Sequence, residues 1–145
     1  MSGKFVDTNI LIYAHDLDAG DQHWRAKELV KSLWDSGEGM LSTQVLNEFY
    51  VNVTQKIPSP MDPSRARAVL ETYLSWKVLT LDPQSVLIAS EVQQRYRISY
   101  WDALIVYAAS KGGASILYSE DLNSGQVMEG VHIVNPLLDS GVHDG

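Results

Sequence analysis

The apolar positions of the chain alternate between short runs and helical spacing, a pattern typical of α/β proteins. The short runs predict five strands, at residues 5–6, 40–41, 78–81, 116–118 and 131–134. The helical spacings predict one helix directly after Asp7 and others over residues 21–36, 43–57, 64–76, 83–96 and 101–111. We therefore expect an α/β fold in which strands and helices alternate.

Individual residues indicate where the helices begin and which sides they bury. Thr8 or Asn9 can cap the first helix, because their side chains accept hydrogen bonds from unpaired first-turn amides. In the helix over residues 21–36, five apolar residues are spaced for one buried side: Trp24, Leu29, Val30, Leu33 and Trp34. Trp76 is also expected in the core, since aromatic side chains at helical positions are buried by default.

Length and composition favour one domain over residues 1–145, because 45% of the residues are hydrophobic and can form a core. The chain has no cysteine, which excludes disulfides, thiolate zinc sites and cysteine nucleophiles. The amino terminus does not resemble a signal peptide, and no stretch reaches the roughly 18 apolar residues of a membrane span. We expect a soluble cytoplasmic protein.

Charge narrows the possible functions further. A net charge of -7 argues against a protein that holds nucleic acid by bulk electrostatic attraction. Cations bound by clustered acids would neutralise part of this negative charge.

Four acidic residues occupy comparable positions along this pattern. Asp7 and Asp121 each follow a predicted strand, Asp102 begins an apolar helix, and Glu48 lies between the core stripe and the polar side of its helix. Each residue alone has an ordinary explanation as a cap, a turn residue or a solvated side chain. Because active sites of open α/β sheets lie at the carboxyl edge of the strands, the four acids together indicate a shared site.

Such a cluster is unfavourable without cations. Two carboxylates about 4 Å apart repel by roughly 4 kcal/mol at an effective dielectric constant of about 20. Oxygen ligands without cysteine or paired histidines favour Mg²⁺ or Mn²⁺ over zinc. Such ions can polarise a phosphoryl oxygen, generate hydroxide from bound water and stabilise the departing oxygen of an in-line displacement.

The ordered motifs resemble those of PIN-domain ribonucleases, especially VapC-type toxins of bacterial toxin-antitoxin pairs. The motifs are Val6-Asp7-Thr8-Asn9, Asn47-Glu48, Trp101-Asp102-Ala103-Leu104-Ile105 and Ser119-Glu120-Asp121. The resemblance covers essentially the whole chain. It implies a three-layer α/β/α sandwich with a five-stranded parallel sheet in the order 3-2-1-4-5. It also implies an endoribonuclease that uses Mg²⁺ or Mn²⁺, forms a homodimer and is silenced by a cognate antitoxin.

The same resemblance implies roles for individual residues. Asp7, Glu48 and Asp102 match the metal-binding acids of the family, and Asp121 matches the acid that completes the set. Asn9 and Ser119 match the positions that support the site. The chain departs from the family at Ser124, where many members have a further acid. This position therefore lacks the carboxylate that would serve a second metal ion.

Two other functions remain open on the same fold. One is a metal-dependent DNA nuclease, since hydrolysis of this kind does not need the 2′-hydroxyl. The other is a catalytically silent binding module whose acids serve only as caps and solvated side chains. Trp101 is expected either in the core or beside the site, where it could stack on a base. No histidine pair has the spacing of metal ligands, so we assign the histidines no catalytic role.

Overall fold

The central sheet is built from short strands that carry the buried apolar runs. The computed structural model describes residues 3–138. The strands are Gly3–Val6 (β1), Gly39–Ser42 (β2), Lys77–Leu79 (β3), Ala114–Tyr118 (β4), Val127–Met128 (β5) and Val131–Val134 (β6). The helices are Thr8–His15 (α1), Asp21–Ser36 (α2), Thr43–Gln55 (α3), Pro63–Tyr73 (α4), Gln84–Tyr96 (α5) and Tyr100–Lys111 (α6), with a short 3₁₀ turn at Leu17–Ala19.

The sheet has the order β3-β2-β1-β4-β6-β5. Its first five members are mutually parallel, in the order predicted from the sequence. The prediction of an all-parallel sheet with five strands was wrong at one edge, where β5 pairs antiparallel with β6. β5 contains only two residues, so it has too few positions to show a detectable alternation of apolar and polar residues.

The helices form two groups around this sheet. Helix α1 packs on both α2 and α3, and α3 packs on α4. Helix α5 packs on α6, which also contacts β2 and β4. The sheet strands supply fully buried side chains, among them Phe5, Leu41, Leu117 and Ile133. The three-layer α/β/α class expected from the sequence is confirmed.

Short polar side chains cap the beginnings of four of these helices, including Asp62 at α4. Asp7 caps α1 by accepting from the Thr8 amide, so the prediction that Thr8 or Asn9 caps this helix was wrong. Ser42 caps α3 and Ser99 caps α6 in the same way. Two of these caps, at Asp7 and Ser99, place acids at the same end of the sheet.

The tryptophans of α2 correct the predicted core. Trp24 is 60% exposed and Trp34 is 40% exposed, whereas Val30 and Leu33 are buried. Trp24 precedes Val30 by six positions, a rotation of about 240° around the helix, so the two side chains point away from each other. Trp34 lies at the edge of the core, where its ring contacts Trp76 at 5.2 Å between centroids. Trp76 itself is buried, as predicted.

Within residues 3–138, no helix has the length and apolar character needed to cross a lipid bilayer.

Candidate active site

Three acids from distant parts of the sequence meet at the carboxyl end of the sheet. Asp7 follows β1, Asp121 follows β4, and Asp102 lies in the first turn of α6. One carboxylate oxygen of each residue lies within 4.8 Å of one from each of the other two. The acids line a cavity of about 450 Å³ that opens to solvent between α3 and α6.

Asp7 is the buried member of this cluster. Its Oδ1 accepts a hydrogen bond of 2.7 Å from the Thr8 amide, and its Oδ2 accepts one of 2.9 Å from the Ser119 hydroxyl. The pKa of Asp7 is raised from 3.8 to about 7. Burial is the largest cause, the charges of Asp102 and Asp121 act in the same direction, and the two hydrogen bonds oppose the shift. The folded protein therefore concentrates negative charge where a carboxylate is hardest to ionise.

Ser119 connects two of the acids. Its side chain is completely buried and donates to Asp7, while its Oγ accepts from the amides of Asp121 at 3.2 Å and Leu122 at 3.3 Å. A single hydroxyl thus fixes both the Asp7 carboxylate and the turn that carries Asp121.

Asp102 and Asp121 lie closer to solvent. Burial raises the pKa of Asp102, and the charges of Asp121 and Glu48 raise it too, although the hydrogen bond with Ser99 opposes them. Asp121 is exposed, and its Oδ2 accepts a 3.3 Å hydrogen bond from the side-chain Nδ2 of Asn9. Asn9 therefore orients this carboxylate.

Glu48 lines the same cavity but stands apart from the three aspartates. Its Oε1 accepts a 2.5 Å hydrogen bond from the Thr8 hydroxyl, and its Oε2 accepts one of 3.2 Å from Gln44 Nε2. It is outside the group of three whose oxygens converge. The structure thus brings Asp7, Asp102 and Asp121 together and places Glu48 beside them, with its carboxylate held by neighbouring side chains.

Sequence reasoning missed two residues of this site. Thr8 was considered only as a cap, yet its hydroxyl contacts Glu48. Gln44 precedes Glu48 by four positions on α3, and this spacing was the available signal for their contact. Glu120 accepts a 2.9 Å hydrogen bond from Tyr13 and lies outside the converging group.

Basic groups do not neutralise these acids. Among residues 3–138, no Lys, Arg or His side chain forms an ion pair with Asp7, Glu48, Asp102 or Asp121. Lys56 is the single basic residue that lines the described cavity. The donor set consists of hard carboxylate oxygens, which suits a divalent cation such as Mg²⁺ or Mn²⁺.

Residues 4–127 match the PIN domain family. The chain belongs to the PIN domain family. A search of curated protein sequences gave no match. The order of strands and the acidic edge described above are thus those of a PIN domain that covers most of the chain.

Solved structures with similar folds include toxin-antitoxin proteins. The DNA-bound VapBC complex of Salmonella typhimurium is 19% identical, with a TM-score of 0.61, and the match covers 92% of this chain and 97% of that one. VapC20 of Mycobacterium tuberculosis, a toxin that cleaves the sarcin-ricin loop, is 21% identical with a TM-score of 0.62, covering 82% and 90%. A toxin-antitoxin complex from Klebsiella pneumoniae is 21% identical with a TM-score of 0.67, covering 93% and 98%. This PIN domain therefore has a VapC-like fold.

The departure at Ser124 has a structural explanation. The Ser124 hydroxyl accepts a 3.0 Å hydrogen bond from the Asn135 amide, just after β6. In this PIN domain the residue holds a loop instead of adding a charge to the cluster.

Proposed function

We propose that this PIN domain is a metal-dependent endoribonuclease and the toxin of a toxin-antitoxin pair. The proposal is carried by one observation, the convergence of Asp7, Asp102 and Asp121 from three separate segments within 4.8 Å. Like charges at this distance repel, and burial makes ionisation of the Asp7 carboxyl group still less favourable. No basic side chain pairs with these acids among residues 3–138, so a bound cation would offset their repulsion.

Asp7, Asp102 and Asp121 would hold Mg²⁺ or Mn²⁺, and Glu48 would supply a fourth acid at the same cavity. When bound, the ion polarises a phosphoryl oxygen and lowers the pKa of water. Ser119 and Asn9 keep the carboxylates of Asp7 and Asp121 in place through their hydrogen bonds. Because these supports are already formed, little rearrangement is needed when a cation enters.

The opposite wall of the cavity offers a contact for the RNA backbone. Lys56 ends α3 and is exposed at the cavity margin, on the same helix as Glu48. Its ammonium group can bind a phosphate next to the one that is cleaved, since a single Lys acts as a mobile point charge for phosphates. The protein as a whole is acidic, so this local cation helps to orient the substrate.

The similar structures support the nature of the substrate and the partner. VapC20 is described as cleaving the sarcin-ricin loop, which is RNA, and two of the other similar structures are toxin-antitoxin or VapBC complexes. We therefore propose RNA as the substrate, a cognate antitoxin as the protein partner, a homodimeric assembly and a cytoplasmic location.

The test is cleavage of RNA by purified protein. A pool of transfer RNA and ribosomal RNA is incubated with EDTA, Mg²⁺ or Mn²⁺, and the new ends are mapped. We expect cleavage only with a divalent cation, giving 5′-phosphate and 3′-hydroxyl ends. Asp7→Asn should abolish cleavage while its circular dichroism spectrum matches that of the wild type, because asparagine can still cap α1.

The same assay separates the alternatives. Cleavage of single-stranded DNA but not of structured RNA would assign a DNA nuclease instead. Absence of cleavage, together with no calorimetric Mn²⁺ binding that depends on Asp7 and Asp102, would assign a catalytically silent binding module. Wild-type activity in Asp7→Asn would remove the proposed mechanism.

A further inference from the structure

A second cavity adjoins the acidic one and shares a wall with it. This second cavity has a volume of about 440 Å³ and lies between the beginnings of α3 and α6. Its lining residues are Thr43, Gln44, Asn47, Glu48, Leu81, Trp101 and Leu104. Gln44, Asn47, Glu48 and Trp101 also line the acidic cavity. The two cavities are therefore neighbours on the surface, separated by these shared residues.

Trp101 forms the exposed part of the shared wall. It immediately precedes Asp102 and is 62% exposed, although the residues that follow it in α6 are largely buried. Its ring stands at 79° to that of Tyr100, with 5.2 Å between the centroids. Its carbonyl accepts a 3.2 Å hydrogen bond from Gln44 Nε2. The ring is thus attached to a fixed backbone position next to the cluster and is available to solvent.

Gln44 contributes a rigid, buried side chain to the same wall. Only 8% of the residue is exposed. Its Nε2 donates to Glu48 and to the Trp101 carbonyl, and both partners are acceptors, so this orientation of the amide is fixed. Its Oε1 is buried and has no hydrogen-bond partner. Protein atoms shield this oxygen from solvent, so Gln44 supports the wall and keeps the Trp101 backbone in place through its Nε2.

We propose that this second cavity is a nucleobase pocket, in which an unpaired RNA base stacks on Trp101 and forms a hydrogen bond through its edge with the exposed Asn47 amide. The inference rests on the proposed ribonuclease function. Bases of single-stranded nucleic acid stack on exposed aromatic rings, and every base carries an N–H group at its edge. Leu81 and Leu104 supply apolar surface for the base, and Asn47 supplies an amide at the margin.

The pocket would select the site of cleavage. A base held by Trp101 belongs to a nucleotide whose phosphate lies beside Asp102, the next residue along the chain. The base is accessible only when it is unpaired, so the pocket favours loops and bulges over regular duplex RNA. The acidic cluster would carry the chemistry, and the nucleobase pocket would determine which phosphodiester enters it.

The proposal is tested by RNA binding without cleavage. A labelled RNA of about six unpaired nucleotides is titrated in EDTA with Asp7→Asn protein, and binding is followed by fluorescence anisotropy. Adding Trp101→Ala should weaken binding about tenfold to a hundredfold, whereas Trp101→Phe should retain most of the affinity. Trp24→Ala is the matched control, because Trp24 is 60% exposed on α2 and lines neither cavity. It should bind like the parent.

A scan with abasic nucleotides then locates the base. One abasic position should reproduce the loss caused by Trp101→Ala, and combining the two changes should add little, because both remove the same contact. Asn47→Ala should weaken binding of the intact RNA and leave binding of the abasic RNA unaffected. Size-exclusion chromatography with light scattering should show the same oligomeric state for the parent and Trp101→Ala.

Several results would overturn the pocket. These are equal binding by Trp101→Ala and Trp24→Ala, a flat abasic scan, no measurable binding by the parent, or an altered oligomeric state of Trp101→Ala without altered binding. The ribonuclease proposal fails separately, through absence of RNA cleavage by the wild type. RNA cleavage with a flat abasic scan would reject the pocket alone.

Discussion

The two ends of the central sheet carry charge in different arrangements. At the amino end, Lys4 and Glu38 form an ion pair with 2.7 Å between Nζ and Oε1, and Lys77 donates to the Gly112 carbonyl at 2.8 Å. At the carboxyl end, Asp7 and Asp102 approach other acids, and no base pairs with them among residues 3–138.

Folding favours the charged groups at one end of the sheet and disfavours those at the other. At the amino end the pKa of Lys4 is raised and the pKa of Glu38 is lowered, in both cases first by their mutual hydrogen bond, so folding favours the charged forms. At the carboxyl end, burial raises the pKa values of Asp7 and Asp102, so folding opposes their charged forms. The proposed metal site accounts for charges that the fold disfavours, and the contrast can be tested by removing charges from each end.

The largest effect is expected from Asp102→Asn. This change removes one charge from the cluster and should reduce single-turnover RNA cleavage by about 10³-fold or more. The metal-free variant should melt at the same temperature as the wild type or higher, because repulsion within the cluster decreases. Asp35→Asn, a change of an exposed acid on α2, is the control and should alter neither property. Cleavage within tenfold of the wild type would show that Asp102 does not belong to the metal site.

An intermediate effect is expected from pH. Because Asp7 has a pKa of about 7, protons compete with a metal at this carboxylate. The affinity for Mn²⁺, measured by calorimetry, should fall about tenfold from pH 8 to pH 6. The raised pKa also means that the metal-free fold gains stability from this group at low pH and loses it as pH rises from 3.8 to about 7.

Asp7→Asn is the control for this pH dependence. Asparagine does not titrate, so the loss of metal-free stability between those pH values should be smaller in the variant. An Mn²⁺ affinity of the wild type that does not change between pH 8 and pH 6 would contradict the assignment of Asp7 as a ligand.

The smallest effect is expected at the amino end. Glu38→Gln removes the ion pair with Lys4 at the surface, so the melting temperature should fall by no more than about 5 °C. The loss should shrink at high salt, because exposed ion pairs are screened. RNA cleavage and Mn²⁺ affinity should stay at wild-type values. A large loss of activity in Glu38→Gln would break the distinction between the two ends.

The parallel strands could be predicted because each is a compact apolar run bounded by polar or glycine residues. β4 and β6 illustrate this, since their fully buried residues, Leu117 and Ile133, lie within such runs. β5 could not be predicted, because two residues carry no periodicity and the pairing depends on a turn through Gly130, which has a φ of 79°. The burial of α2 was partly misjudged, because apolar character alone does not tell which tryptophan faces the sheet.

The acidic site could be predicted in outline for a similar reason. Asp7 and Asp121 follow strands, and parallel strands bring their carboxyl ends to one edge. The contacts of Glu48 could not be predicted, because they depend on how α3 lies against α1, where Thr8 meets its carboxylate across 40 positions of sequence. The unpaired acceptor of Gln44 is likewise visible only once α3 and α6 are packed together.

The edges of the sheet also affect how the protein behaves at high concentration. The outer strands are β3, with three residues, and β5, with two, so each edge exposes very little backbone for pairing with another chain. β5 covers β6, whose four residues would otherwise offer a longer template. Short edges of this kind protect a protein from strand-to-strand aggregation into fibres. The short antiparallel strand β5 thus limits intermolecular strand pairing at this edge of the sheet.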